Sequence, residues 1–175
     1  MANRTAILYI GLGAALGLYA FSRTSAGQSA IASVSQFVGD MLTPRGIRNN
    51  NPGNIQRNSI AWQGALPRAT LEAAGRSWDA TFVQFDTPAN GVRALGHVLL
   101  SKAARGLTTV DSIIRDYSTT DQDVYVENVA AALGVDPGDA IDVSANLPTM
   151  AAAIVQQENG EQPYDPNDLQ EWVYS

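Results

Sequence analysis

The chain has 175 residues, 45% of them hydrophobic, with no Cys and a single His. That allows one domain plus an appendage, with no disulfide frame and no thiol to act as nucleophile or ligand. Zinc amidases and endopeptidases need two or three His or Cys ligands, so such a site would need unusual ligands here, and a Cys-His peptidase is excluded outright.

The net charge of −6 is unevenly spread. Arg45–Arg76 carries five Arg against one acid, Glu72, whereas Asp79 to the end carries four basic and fifteen acidic residues. This balance argues against general nucleic-acid binding, which takes many phosphate-neutralising cations. A basic loop region facing an acidic wall suits an anionic cell envelope, and a solvated surface accounts for it equally well.

In chain order, Ala6–Phe21 is uncharged and bracketed by Arg4 and Arg23. A spanning helix takes about 20 apolar residues, and snorkelling arginines can bring a shorter run to length. Gly13 and Gly17 give the spacing of close helix contact in lipid. The run therefore reads as an N-terminal hydrophobic or transmembrane helix over residues 1–23. A cleaved signal peptide ending at Ser25-Ala26-Gly27 is the rival. Ser22–Ala30 reads as a linker or helix joint. Ile31, Val34, Phe37, Val38, Met41 and Leu42 then recur at helical spacing and stop before Thr43-Pro44, so residues 24–44 form a linker and amphipathic helix.

Arg45-Gly46-Ile47-Arg48-Asn49-Asn50-Asn51-Pro52-Gly53-Asn54-Ile55 is dense turn chemistry. Pro52 fixes one dihedral, Gly53 offers a place where positive φ costs little, and Ile47 and Ile55 peg the ends into a core. The loop presents amides in a fixed array suited to a polar, uncharged ligand such as a sugar. A plain turn whose asparagines cap their own backbone is the alternative.

Asn58–Ser77 reads as irregular. Trp62 is either a sugar-stacking platform or hinge packing beside Gly64. Thr81–Phe85 predicts a short extended segment, with Phe82 and Phe85 in the core. Thr87 and Pro88 then start a helix, with Val92, Leu95, Val98, Leu99 and Leu100 on its apolar face and a stop at Gly106. Thr108 or Thr109 caps a second helix carrying Val110, Ile113, Ile114 and Tyr117. A third runs from Asp121 to Leu133, with Val124, Tyr125, Val129 and Leu133 inward, and ends at Gly134. Pro148 opens a fourth, with Met150, Ala153, Ile154 and Gln157, which ends at Glu158-Asn159-Gly160. Tyr164-Asp165-Pro166 turns into a tail helix over 166–175.

Residue chemistry narrows the function. His97 sits among helix apolar residues and no G-x-S-x-G elbow is present, so a Ser-His-Asp site lacks its frame. No phosphate- or dinucleotide-binding glycine motif occurs. Carboxylate chemistry remains, the usual kind for glycosidic bonds. Glu158 closes an alanine-rich apolar helix, where an acid shielded by apolar neighbours can hold a proton and deliver it to a leaving oxygen. A solvated Glu at a frayed helix end is the competing reading. Asp79 is the most plausible second carboxylate and Glu72 the next, although both also read as surface groups.

The motif Arg45–Ile55 followed by Trp62-Gln63-Gly64 resembles a family of phage-encoded peptidoglycan-degrading proteins. The pattern continues through Phe82-Val83-Gln84-Phe85, Pro88–Ala94, Tyr125-Val126, Leu133-Gly134-Val135 and Ile154–Gly160. It is also similar to lysozyme-like glucosaminidases and transglycosylases, in which the catalytic Glu precedes the asparagine loop rather than following it. The resemblance implies a mostly α, lysozyme-like domain over residues 45–165 with at most a short β element. It implies glycan-strand cleavage with Glu158 as general acid/base; a second carboxylate is not evident, Asp79 is the helper the residues offer, and the lack of ligands leaves no cofactor or metal expected. Asn49, Asn50, Asn51 and Asn54 would hold N-acetyl groups, with Trp62 and Tyr125 facing the sugars. The expected partners are peptidoglycan, a membrane through the first helix, and other virion proteins. The expected place is the phage virion, acting on the host envelope during genome delivery or lysis. A non-catalytic virion or ejection protein that keeps the scaffold is the alternative.

Overall fold

The computed structural model describes residues 23–175. The hydrophobic run Ala6–Phe21 lies outside them, and among the described residues no helix is long and apolar enough to cross a membrane. The chain divides into two units at Thr43 and Pro44. In the first, helix α1 spans Ser25–Leu42. Its start is capped by Thr24, whose Oγ1 accepts from the Gly27 N–H at 3.0 Å. The helix thus takes in most of the stretch read as a linker, because serine and alanine are as compatible with helix as with coil when a cap nucleates the turn.

The second unit, Pro44–Ser175, is helical, with α2 (Arg45–Arg48), α3 (Arg68–Ala73), α4 (Pro88–Ala104), α5 (Val110–Tyr117), α6 (Gln122–Leu133), α7 (Leu147–Asn159) and α8 (Pro166–Trp172). Helix α3 corrects the expectation of an irregular Asn58–Ser77. Extended Pro67 precedes it, and Leu71, only 1% exposed, pins it to the domain. No strand forms among the described residues. The Thr81–Phe85 stretch instead makes single antiparallel bridges, Phe82 with Gln56 and Phe85 with Ala65.

The caps explain the helix limits. Thr87 accepts from the Asn90 N–H with Pro88 in the first turn of α4. Thr109 and Ser112 form a reciprocal capping box at the start of α5. Gly134 and Gly160 take left-handed angles just past α6 and α7.

Helix α7 lies in the core, with Leu147, Met150, Ala151, Ile154 and Val155 fully buried. It packs on α6, α4 and α8. The tail helix α8 is part of this unit through buried Leu169 and Val173. Glycine permits one close approach: a Cβ on Gly96 of α4 would overlap the Val173 carbonyl oxygen. On α6 the inward set is Tyr125, Val126, Val129 and Ala130, whereas Val124, expected inside, is 56% exposed. The helix is rotated so that Tyr125 and Val126 share the core face with the residues four positions on.

Candidate active site

Glu158 follows Ile154 by four residues and Val155 by three, so the apolar face of α7 aims it into the domain rather than out to solvent. Each of its carboxylate oxygens has a partner. Tyr125 OH donates to Oε1 at 3.0 Å, and Asn54 Nδ2 donates to Oε2 at 2.8 Å. Glu158 and Asn54 share the wall of a groove of about 440 Å³ with Gln56, Asn58, Phe82 and the Ser118–Thr120 segment. Glu158 is the one acid on that wall among the described residues.

Tyr125 is 3% exposed, so its ring is a core element and its hydroxyl the working end. Burial, then the neighbouring Tyr117 and Glu158, push the Tyr125 phenol far above its ordinary pKa, so it stays a donor. Tyr117 meets it edge-on at 6.4 Å between ring centroids and donates its own hydroxyl to the Gly53 carbonyl oxygen. Burial likewise raises the Tyr117 phenol. The tyrosine pair thereby links α5 and α6 to both the loop and the acid.

The loop asparagines divide their labour. Asn51, fully buried, donates to the carbonyls of Ile55 and Val83 at 2.9 and 2.8 Å and accepts from the Ile55 N–H. Asn50 donates to the carbonyls of Phe85 and Asp86. Asn49, 3% exposed, donates to Asp79 at 2.7 Å. These three amides are occupied by the protein itself, and only Asn54 of the four lines the groove. Asn50 and Asn54 hold the left-handed angles of the loop (φ 51° and 48°), and Gly53 does not. Gly53 is required for another reason: a Cβ there would meet Tyr117 OH at 2.8 Å and Leu95 Cδ1 at 3.0 Å.

Asp79 is away from the groove wall. Its carboxylate takes Arg45 Nε and Nη2, Asn49 Nδ2 and the backbone N–H groups of Thr81 and Phe82. Burial pushes the Asp79 carboxyl upward, but these hydrogen bonds outweigh it and hold the pKa well below the usual carboxylate range. A carboxylate kept ionised at neutral pH by this many donors is a structural clamp. Trp62 packs half-buried against the core, outside the groove, and its Nε1 finds no acceptor among the described residues. Glu72 pairs with Arg68 on the surface of α3, and His97 is exposed on α4.

Phe82, expected in the core, has one side on the groove, with the Arg45 guanidinium 4.4 Å from its ring centroid. The sequence reading missed Gln56, Asn58 and Ser118–Thr120 as wall residues. The turn-rich composition of Ser118–Asp121 was the signal available for the last of these.

Over 140 residues the chain is 30% identical to Protein P5 of Pseudoalteromonas phage PM2, an alignment that takes in 74% of this chain and 82% of that protein. The chain belongs to the Protein P5 family. No family model matches it. Membership agrees with the phage half of the resemblance carried by the Arg45–Ile55 motif.

Proposed function

We propose that this member of the Protein P5 family cuts peptidoglycan glycan strands through a lysozyme-like domain, with Glu158 as general acid/base. The observation that carries this is the hold on Glu158: one acid on a groove wall, each oxygen hydrogen-bonded, at the end of a core helix. The wall suits a neutral, hydroxyl-rich polymer, with the amides of Gln56 and Asn58, the hydroxyls of Ser118–Thr120 and the Phe82 ring. Lys102, also on the wall, is engaged by Asp116 at 2.6 Å.

Glu158 in its acid form would pass its proton to the glycosidic oxygen as the bond to the anomeric carbon breaks. The resulting carboxylate would then take a proton from the incoming nucleophile. Glycosidases that use water usually employ two carboxylates. A single acid favours the sugar's own 6-hydroxyl as nucleophile, which yields a 1,6-anhydro end. Asp79 is committed to Arg45 and Asn49 and is not proposed as a helper. In this reading the protein is a virion component acting on the host envelope during genome delivery or lysis, tethered by the apolar Ala6–Phe21 run.

The test is mass spectrometry of purified sacculi after digestion. Wild type should release anhydro-ended muropeptides, and folded Glu158→Gln should release none. Undiminished cleavage by folded Glu158→Gln would remove Glu158 from the chemistry. No cleavage by the wild-type protein would favour a non-catalytic virion protein.

A further inference from the structure

Among the loop amides, Asn54 is the one that reaches Glu158, and its setting is two-sided. Nδ2 donates to Glu158 Oε2 at 2.8 Å. Oδ1 is buried and accepts no hydrogen bond among the described residues, and the same is true of Asn159 Oδ1. The Asn159 amide is held in place from its other end, where Nδ2 donates to the carbonyls of Pro52 and Val155 at 2.8 and 2.9 Å. Both orphan oxygens crowd the Cα of Gly46: a Cβ there would lie 3.0 Å from Asn54 Oδ1 and would overlap Asn159 Oδ1. Gly46 belongs to α2 and is not among the residues with positive φ. Its missing side chain, rather than backbone freedom, is what the position demands.

We propose that Asn54 is a positioning residue for Glu158, seated on the bare face of Gly46, and that its carboxamide serves both protonation states of the acid. This rests on the reading of Glu158 as general acid/base. When Glu158 is a carboxylate, the amide NH2 faces it, as in the structure. When Glu158 carries a proton, its O–H needs an acceptor, and an NH2 opposite would leave two donors face to face. A half-turn of the carboxamide presents Oδ1 to the acid and carries the NH2 toward the side where Asn159 Oδ1 lacks a donor. No proton moves in the turn, and the turned amide uses both of its ends, whereas in the observed orientation Oδ1 and Asn159 Oδ1 each lack a donor. The left-handed backbone of Asn54 places the group there, and asparagine tolerates those angles better than most residues. An amide engaged by Glu158 on one side and buried on the other has little left to offer an N-acetyl group.

The experiment uses the full chain with Asn54→Gly, Asn54→Asp and Gly46→Ala. Glycine keeps the left-handed backbone and deletes the amide, whereas Asp keeps the shape and replaces the donor by a second carboxylate. The Glu158 carboxyl is observed by carbon-13 NMR, and kcat and KM on sacculi are measured across pH. Asn54→Gly should lower kcat about tenfold at every pH, since both forms of the acid lose a partner, with KM changed by less than about twofold. It should also displace the Glu158 carboxyl resonance, because a direct hydrogen-bond partner is gone. Asn54→Asp should displace that resonance as well, and Gly46→Ala should reproduce the Asn54→Gly displacement in part. An undisplaced Glu158 resonance in both Asn54 variants would overturn the proposal, as would a raised KM with kcat unchanged. An active Glu158→Gln protein would end the acid/base reading. The carbon-13 resonance would still decide whether Asn54 holds Glu158.

Discussion

Arg45 grips the Asp79 carboxylate with two parallel hydrogen bonds, Nε to Oδ2 and Nη2 to Oδ1, each 2.7 Å long. The pair ties the start of the asparagine loop to the segment that carries Phe82 and Phe85. Asn49 donates to the same carboxylate from inside the loop. Asp79→Asn keeps the shape but loses the charge and one acceptor, so it should cost about 2 kcal/mol, the scale of a hydrogen bond to a charged group. Urea denaturation at pH 7 checks this, and a midpoint equal to wild type would show that the clamp adds nothing.

The same carboxylate gives the fold an acid-side dependence. Its folded pKa is depressed, since the hydrogen bonds from Arg45, Phe82, Asn49 and Thr81 outweigh the opposing effect of burial. Stability from Asp79 is therefore fully present above the unfolded-state value of about 3.9 and is lost as pH falls below it toward the folded value. Melting temperature against pH should fall below about pH 4 in wild type and less steeply in Asp79→Asn. Parallel curves for the two proteins would remove Asp79 as the source.

Gly91 marks where α4 meets the loop. A Cβ on Gly91 would overlap the backbone carbonyl of Asn50, an atom that cannot rotate away. Gly91→Ala should destabilise the domain by about 2–4 kcal/mol through displacement of the loop. Ala at the exposed His97 farther along the same helix should be within about 0.5 kcal/mol of wild type. Equal melting temperatures for Gly91→Ala and wild type would mean that α4 does not press on the loop.

Local chemistry was legible in the sequence, and distant pairing was not. The caps at Thr87 and Thr109 and the stops at Gly134 and Gly160 follow from residues within one turn of each helix end. Glu158 at the close of an apolar helix was also readable, because its spacing from Ile154 is local. The hydrogen bond from Asn54 to Glu158 joins residues 104 positions apart, and no turn or periodicity rule reaches that far. The roles of Asn49, Asn50 and Asn51 inverted for the same reason. An amide looks free in a sequence until the chain that occupies it, here Asp79 and Val83–Asp86, is folded against it. Gly53 was rightly singled out but for a reason that belongs to Asn50 and Asn54, since asparagine also takes left-handed angles.

Tyr125 separates a positioning role from a sugar-stacking one. Its ring is buried against Tyr117 and only its hydroxyl reaches Glu158. Tyr125→Phe should keep the fold and lower kcat on sacculi about tenfold, with KM little changed. If the ring faced sugar, Phe would serve as well as Tyr and the activity would be retained. Circular dichroism beside the kinetics distinguishes loss of function from loss of structure.

Gly53 and Tyr117 should behave as one unit. Gly53 has no left-handed backbone to relieve, so Gly53→Ala acts through space alone, against Tyr117 OH at 2.8 Å and Leu95 Cδ1 at 3.0 Å. Overpacking of this kind costs about 1–3 kcal/mol. Tyr117→Phe deletes the hydrogen bond to the Gly53 carbonyl at a cost of about 1 kcal/mol. It also removes the nearest atom from the path of the new methyl group. The double variant should therefore be less destabilised than the two single changes added together, with a coupling of about 0.5 kcal/mol or more. Urea denaturation of the four proteins measures that coupling directly. Strict additivity would mean that the Tyr117 hydroxyl does not bear on Gly53, and the link from α5 to the asparagine loop would have to run through Leu95 instead.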